Sequence, residues 1–177
     1  LLFDREPWPQ ALQNLHDWSA YGLIDAGLQS DPQQRLRLRW AQRLRLPMLP
    51  ALLLGAKHPP EVAARLQLPL LQQRWLEQAV ELMGWMESSS FDAPQFGWSP
   101  ADWTMALESK GWCVEAVGLA VATGHRYWRP LLRWCGRWRH LRAAESAQEL
   151  LDQGWIPGPA LGAELRRRRI ERLEVTR

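Results

Sequence analysis

The residues best placed to do chemistry lie near the C-terminus. The stretch Gly154-Trp155-Ile156-Pro157-Gly158-Pro159-Ala160-Leu161-Gly162 reads as a tight turn between two helices. Gly154 fits the left-handed position that closes the first helix. Pro157 stiffens the turn, and Gly158 leaves room for a second backbone to come close. Pro159 fits the first position of the next helix, so the amides of Ala160, Leu161 and Gly162 point out unpaired. A helix start of this kind favours an anion such as phosphate, and Gly162 adds no side chain to block it. The same turn also serves an ordinary hairpin that packs two helices together.

Arg166-Arg167-Arg168-Arg169 follows on the last helix, with Arg172 one turn on. Arg166, Arg169 and Arg172 recur at spacing three and share a face, so they are the first candidates for phosphate contact. The alternative is a solvated terminal helix. Upstream, Arg126, Arg129, Arg133, Arg137, Arg139 and Arg142 alternate with Tyr127, Trp128, Trp134 and Trp138. Arginine beside aromatic rings is what a single-stranded RNA platform uses. Leu131, Trp134 and Trp138, however, fall at core spacing, so these tryptophans are expected inside. Arg133 and Arg137 are then left as phosphate candidates on the opposite face.

Other chemistries find little footing. His16-Asp17 could begin a metal site, but His58, His125 and His140 stand in no supporting context. Ser88-Ser89-Ser90 lacks a histidine or a nucleophile elbow. Cys113 and Cys135 have no zinc-ligand spacing and are expected as reduced, packed thiols. No phosphate-binding glycine loop is present. The sequence thus offers neither catalytic residues nor a metal site.

The elements that must position these arginines read as helical throughout, which predicts an all-α array of about eight to ten helices. Hydrophobic residues make up 46% of the chain and charged residues 23%, the balance of a folded protein, with 12 tryptophans to build its core. Leu12, Leu15, Trp18, Leu23 and Ile24 form an approximate stripe from Pro9 to about Gly27. Asp31-Pro32 starts a helix that reaches Leu46, and Pro47 and Pro50 end or kink it. A short helix covers Val62–Leu66. Leu71, Trp75, Ala79, Leu82, Trp85 and Met86 then mark one face of a long one. Residues 87 to 98 are rich in turn formers, so the expected division is a helical body over 1–90, a linker over 91–98 and a helical tail over 99–177. Ser99-Pro100-Ala101-Asp102 starts the tail, and helices are expected over Gly111–Thr123, Tyr127–Arg142, Ser146–Gln153 and Pro159–Leu173.

Net charge is minus three over residues 1–124 and plus six over 125–177, so the tail carries the basic character. The only lysines are Lys57 and Lys110. No apolar run reaches the length of a membrane span, and no leader peptide is visible, so a cytoplasmic protein without a membrane partner is expected. Leu1 in place of methionine leads to the expectation of a piece cut from a longer chain.

The segment from Glu145 to Leu165 resembles the C-terminal tail of bacterial CCA-adding tRNA nucleotidyltransferases and related poly(A) polymerases. Ser146, Leu150, Leu151, Gly154, Pro157, Gly158, Pro159, Leu161, Gly162 and Leu165 match that pattern. Ala147, Glu149 and Trp155 depart from it, standing for a glycine, an aspartate and an aliphatic residue. Leu36–Leu46 and Ala63–Leu68 are similar to segments of the family's helical body. The resemblance implies an RNA-binding body and tail that position tRNA for 3′-end nucleotide addition. It also implies a catalytic head elsewhere in the same polypeptide, using magnesium and nucleoside triphosphates. Neither the head's glycine-rich signature nor its paired aspartates occur here, so this chain holds no catalytic residue of that reaction. RNA contact is expected at Gly158, Ala160, Leu161, Gly162, Arg133, Arg137, Arg166, Arg169 and Arg172. The alternative is a helical protein-interaction module, and a weaker one is a helix-hairpin-helix DNA binder.

Overall fold

A computed structural model describes residues 6–88, 91 and 97–176. Among them are eleven α-helices, eight of seven residues or more, and no strand. The all-α expectation holds. No helix among the described residues is long and apolar enough to cross a membrane.

The helices are α1 Trp8–Asp17, α2 Tyr21–Ile24, α3 Gln34–Arg43, α4 Met48–Leu53, α5 Pro59–Arg65 and α6 Leu70–Glu87. They continue with α7 Pro100–Ser109, α8 Val114–Ala122, α9 Trp128–Gly136, α10 Ala147–Asp152 and α11 Pro159–Glu174. Two 3-10 turns, Ala26–Ser30 and Trp138–His140, complete the set. Proline sets many of the starts. Pro7, Pro47 and Pro69 sit at N-caps, and Pro59, Pro100 and Pro159 open their helices. Each has its φ already fixed for that entry and lacks an N–H that would go unused there.

The chain forms two compact units, and they interleave. The first lies within 1–91 and 112–132, the second within 92–111 and 133–177. The core of the first unit is built from Leu12, Leu38, Leu52, Leu53, Leu76 and Leu119, all buried. Helix α8 is its centre: Ala116 to Ala122 are buried without a break, and α8 packs on α3 and α6. Residues 112–132, read from sequence as tail, therefore supply the core of the other unit. The reason is composition, since α8 carries no charge after Glu115 and must be covered on every side. In the second unit α11 packs on α7 and α10.

Other details also differ from the sequence reading. Most of the 91–98 linker lies outside the described residues, but Phe91 is buried, with its ring 4.6 Å from Trp85 and 5.1 Å from Tyr127. Trp18 and Leu23 are exposed because α1 ends at Asp17 and Ser19 turns left-handed. The buried face of α6 runs through Leu76, Ala79, Leu82 and Met86, leaving Leu71 outside. Helix α3 begins at Gln34, after an Asp31 turn in which Oδ1 accepts from the Gln33 amide at 3.0 Å. It stops at Arg43 rather than Leu46. Arg45 takes φ 56°, and the Leu46 amide donates back to Ala41 at 2.8 Å. Leu46 thereby turns inward and is buried, which offsets the strain at Arg45. Gln67 closes α5 in the same way, burying Leu68.

One polar tie runs through this core. Arg37 is buried, pairs with Asp31, and donates through Nε to the Ala51 carbonyl at 3.0 Å. It joins the start of α3 to α4.

If α8 is core to the first unit, Leu119→Ala should lower stability by about 2–5 kcal/mol in a urea titration. An effect within about 0.5 kcal/mol, the range of ordinary surface changes, would remove α8 from that core.

Candidate nucleic-acid interface

The hairpin of α10 and α11 is built from local rules. Ser146 Oγ accepts from the Glu149 amide at 3.2 Å, and Glu149 Oε2 accepts from the Ser146 amide at 2.6 Å. This reciprocal box starts α10, and Glu149 serves it directly. Leu150 anchors the helix in the core. Its end is a Schellman closure: the Trp155 amide reaches Leu150 O at 3.1 Å and the Gly154 amide reaches Leu151 O at 2.9 Å. Gly154 sits at φ 93°, as the sequence requires.

Gly158 is the N-cap of α11 at φ 155°, a conformation open to glycine and strained for other residues. A Cβ there would meet nothing within 4 Å, so the glycine serves the backbone angle and not the close approach of another chain segment. At Gly162 a Cβ would meet only Arg166 Nη1, at 3.9 Å. Residues 152–160 are all exposed, Ile156 to 80%. Pro159 opens α11, no side chain caps it, and the buried Leu161 pins its first turn. The amides of Ala160 and Leu161 begin the helix with no backbone acceptor among the described residues, with the positive end of a 16-residue helix behind them; the Gly162 amide, expected unpaired from the sequence, instead donates to the Gly158 carbonyl at 3.3 Å as the helix's first bond.

The arginines divide by partner. Arg169 is the most committed. Its two Nη atoms grip the Glu108 carboxylate at 2.8 and 2.7 Å, and Nε donates to Leu141 O at 2.7 Å. Arg172 donates to Arg142 O at 3.2 Å. The face shared by Arg166, Arg169 and Arg172 thus turns in part toward the unit's own 139–142 segment. Carbonyls at the end of a 3-10 turn need donors, and these arginines supply them. Arg169 is accordingly a structural tie between α11, α7 and the 139–142 segment. Arg168 pairs with Glu145 at 2.6 Å and Glu164 at 2.8 Å, and Arg167 with Glu164 and Glu171. Hydrogen bonds from Arg167 and Arg168 hold the Glu164 carboxyl down to about 2.

Arg166 remains exposed with no ion pair among the described residues. Together with Arg142 it lines an open cleft of about 730 Å³, to which Leu165 and residues 143–147 also contribute. Glu108, Glu145 and Glu149 also border it, the first two already paired with Arg169 and Arg168. Arg133 and Arg137 lie exposed at the end of α9, while Leu131, Trp134 and Trp138 are buried as their spacing required.

No protein-family model, curated protein or solved structure matches this chain.

The site is thus an exposed, uncapped helix start on a glycine-proline turn, with Arg166 about two turns along α11 and Arg142 across the cleft. Among the described residues no three of His, Cys, Asp and Glu converge as metal ligands. What sequence reasoning missed is the set of acids that occupy the arginines. Glu164 could be found, at three and four residues from Arg167 and Arg168. Glu108 could not, since it lies 61 residues from Arg169.

Arg169→Ala should cost about 1–3 kcal/mol, the range for a charged hydrogen-bonded group, while Arg166→Ala stays within about 0.5 kcal/mol. Chemical denaturation of both variants checks this, and equal effects would contradict the division. Glu164 is depressed in the folded state, so its contribution is present above pH 4.5 and is lost as pH falls toward about 2. The melting temperature of Glu164→Gln should therefore fall less steeply over that window than that of the parent chain.

Proposed function

We propose that this chain is the RNA-gripping helical region of a template-independent RNA nucleotidyltransferase of the CCA-adding or poly(A) polymerase type. It positions tRNA for 3′-end addition by a catalytic head that lies outside this sequence. The observation that supports the reading is the α10–α11 hairpin. Its turn uses glycine and proline to leave the start of a long helix without a side-chain cap, with an unpaired arginine about two turns on. A tRNA backbone phosphate seats against the amides of that start, and Arg166 and Arg142 neutralise its neighbours. Recognition of this kind reads the shape and charge of an RNA arm, because the A-form major groove is too narrow for side chains. Magnesium and nucleoside triphosphate belong to the head's chemistry, and no residue of this chain is assigned to it.

A second reading has an observation of its own. Ile156 and Trp155 place an exposed apolar tip beside the same turn, 80% and 36% exposed. This favours docking on protein, with no direct contact to nucleic acid.

Titration of the full chain with tRNA, at about 50 and 200 mM salt with duplex DNA as control, separates the two. RNA contact predicts binding that prefers tRNA, weakens steeply with salt, and falls several-fold in Arg166→Glu and in Arg142→Glu. Binding that ignores both substitutions, or that favours duplex DNA, would overturn it. Protein docking predicts that Ile156→Asp matters and that salt does not.

A further inference from the structure

A second basic surface lies in the other unit, where the net charge over residues 1–124 conceals it. From Pro32 to Pro60 the chain contains no aspartate or glutamate, yet it carries Arg35, Arg37, Arg39, Arg43, Arg45 and Lys57. Arg37 is buried with Asp31. Arg35, Arg39 and Arg43 are exposed and have no ion-pair partner among the described residues. They recur at spacing four on α3, so they form one ridge with steps of about 6 Å and a length of about 12 Å.

Tryptophans flank this ridge on two sides. On one, Trp8 stands across a cleft of about 400 Å³ from Arg35 and Arg39. Its Nε1 donates to Gln42 Oε1 at 2.8 Å, which fixes the ring while leaving it partly exposed. On the other, the Arg43 guanidinium lies 5.4 Å from the Trp40 ring, and Trp40 lies 5.6 Å from Trp128. Both of those rings are also part-exposed. Among the described residues no acid lines the cleft; Glu6 and Asp17, on or just before α1, accept from the neutral amides of Asn14 at 2.6 Å and Gln13 at 2.8 Å.

We propose that the exposed face of α3, with Arg35, Arg39 and Arg43 between Trp8 and the Trp40–Trp128 pair, binds single-stranded nucleic acid. The arginine ridge follows successive phosphates. The part-exposed rings on either flank stack bases, which every base permits and no duplex does. Unstacking exposes the faces that the tryptophans need, so a paired helix would meet only the charges. This goes beyond the hairpin reading, since it concerns a different unit and a different form of nucleic acid.

The test uses the full chain and a 12-nucleotide oligouridylate, which has no secondary structure, beside an RNA hairpin of equal length. Arg35→Glu/Arg39→Glu/Arg43→Glu should weaken oligouridylate binding at least tenfold. It should also flatten the dependence of log affinity on log salt by about two, for three lost phosphate contacts on a single strand. Arg74→Glu, a charge reversal on the exposed side of α6 outside both surfaces, should change oligouridylate binding less than twofold. The indole N–H signals of Trp8 and Trp40, assigned with Trp8→Phe and Trp40→Phe, should move on titration with oligouridylate. All these variants are compared by thermal melting, and the Trp→Phe assignments do not depend on the charge changes. Unchanged affinity in the triple variant, no binding by the parent chain at low salt, or indole signals that stay still at saturation would each overturn the platform. The tRNA result with Arg166→Glu decides the hairpin reading separately.

Discussion

In the second unit, the grip of Arg169 on Glu108 and on the Leu141 carbonyl fixes where everything else can be. Those bonds join α11 to α7 and to the segment after the 3-10 turn, three pieces far apart in sequence. A planar guanidinium can hold a carboxylate with two parallel bonds and still donate a third, which a lysine cannot. Once α11 is held in this way, its remaining arginines are sorted by geometry. Arg168 and Arg167 fall onto acids, Arg172 onto a carbonyl, and Arg166 toward an open cleft. A run of four identical residues therefore contains structural and available members in fixed places.

The first unit follows the same logic with a different arginine. Arg37 is buried on Asp31 and the Ala51 carbonyl, while its neighbours Arg35 and Arg39 project outward. Alternation of this kind on a helix cannot be read from charge totals. Leaving a buried guanidinium unpaired would be expensive, so Asp31 is tied to its partner and does nothing to neutralise the exposed ridge. The acid-free stretch that follows keeps that ridge cationic.

Much of the architecture was legible because its rules are local. The Ser99 and Ser146 capping boxes, the proline starts, and Gly154 as the end of α10 all act within a few residues. Trp134 and Trp138 lie inside, as their spacing with Leu131 demanded. The misplaced ends of α1 and α3 share one cause. Each helix is closed by a left-handed residue just past its end, Ser19 and Arg45, neither of them glycine, because burying the next residues or satisfying a carbonyl outweighs the strain. Nothing in those two residues announces a stop. The candidate site was legible in its turn and not in its charges. The glycines and prolines declare the hairpin, whereas the acid that removes Arg169 comes from another helix. Phe91 shows the same limit, since serines and prolines around it read as linker while two aromatic rings bury it.

The interleaving of the two units also has a bearing on synthesis. A chain made from its N-terminus has α1 to α6 available early, but the helix that fills their centre arrives only after α7 has been made. Until α8 emerges, Leu76 and its neighbours have no partner for one side, and the growing chain must carry apolar surface past a stretch belonging to a different core. The first unit is thus the first to begin and the first to have all its residues, but it cannot close before a piece of the second has been made.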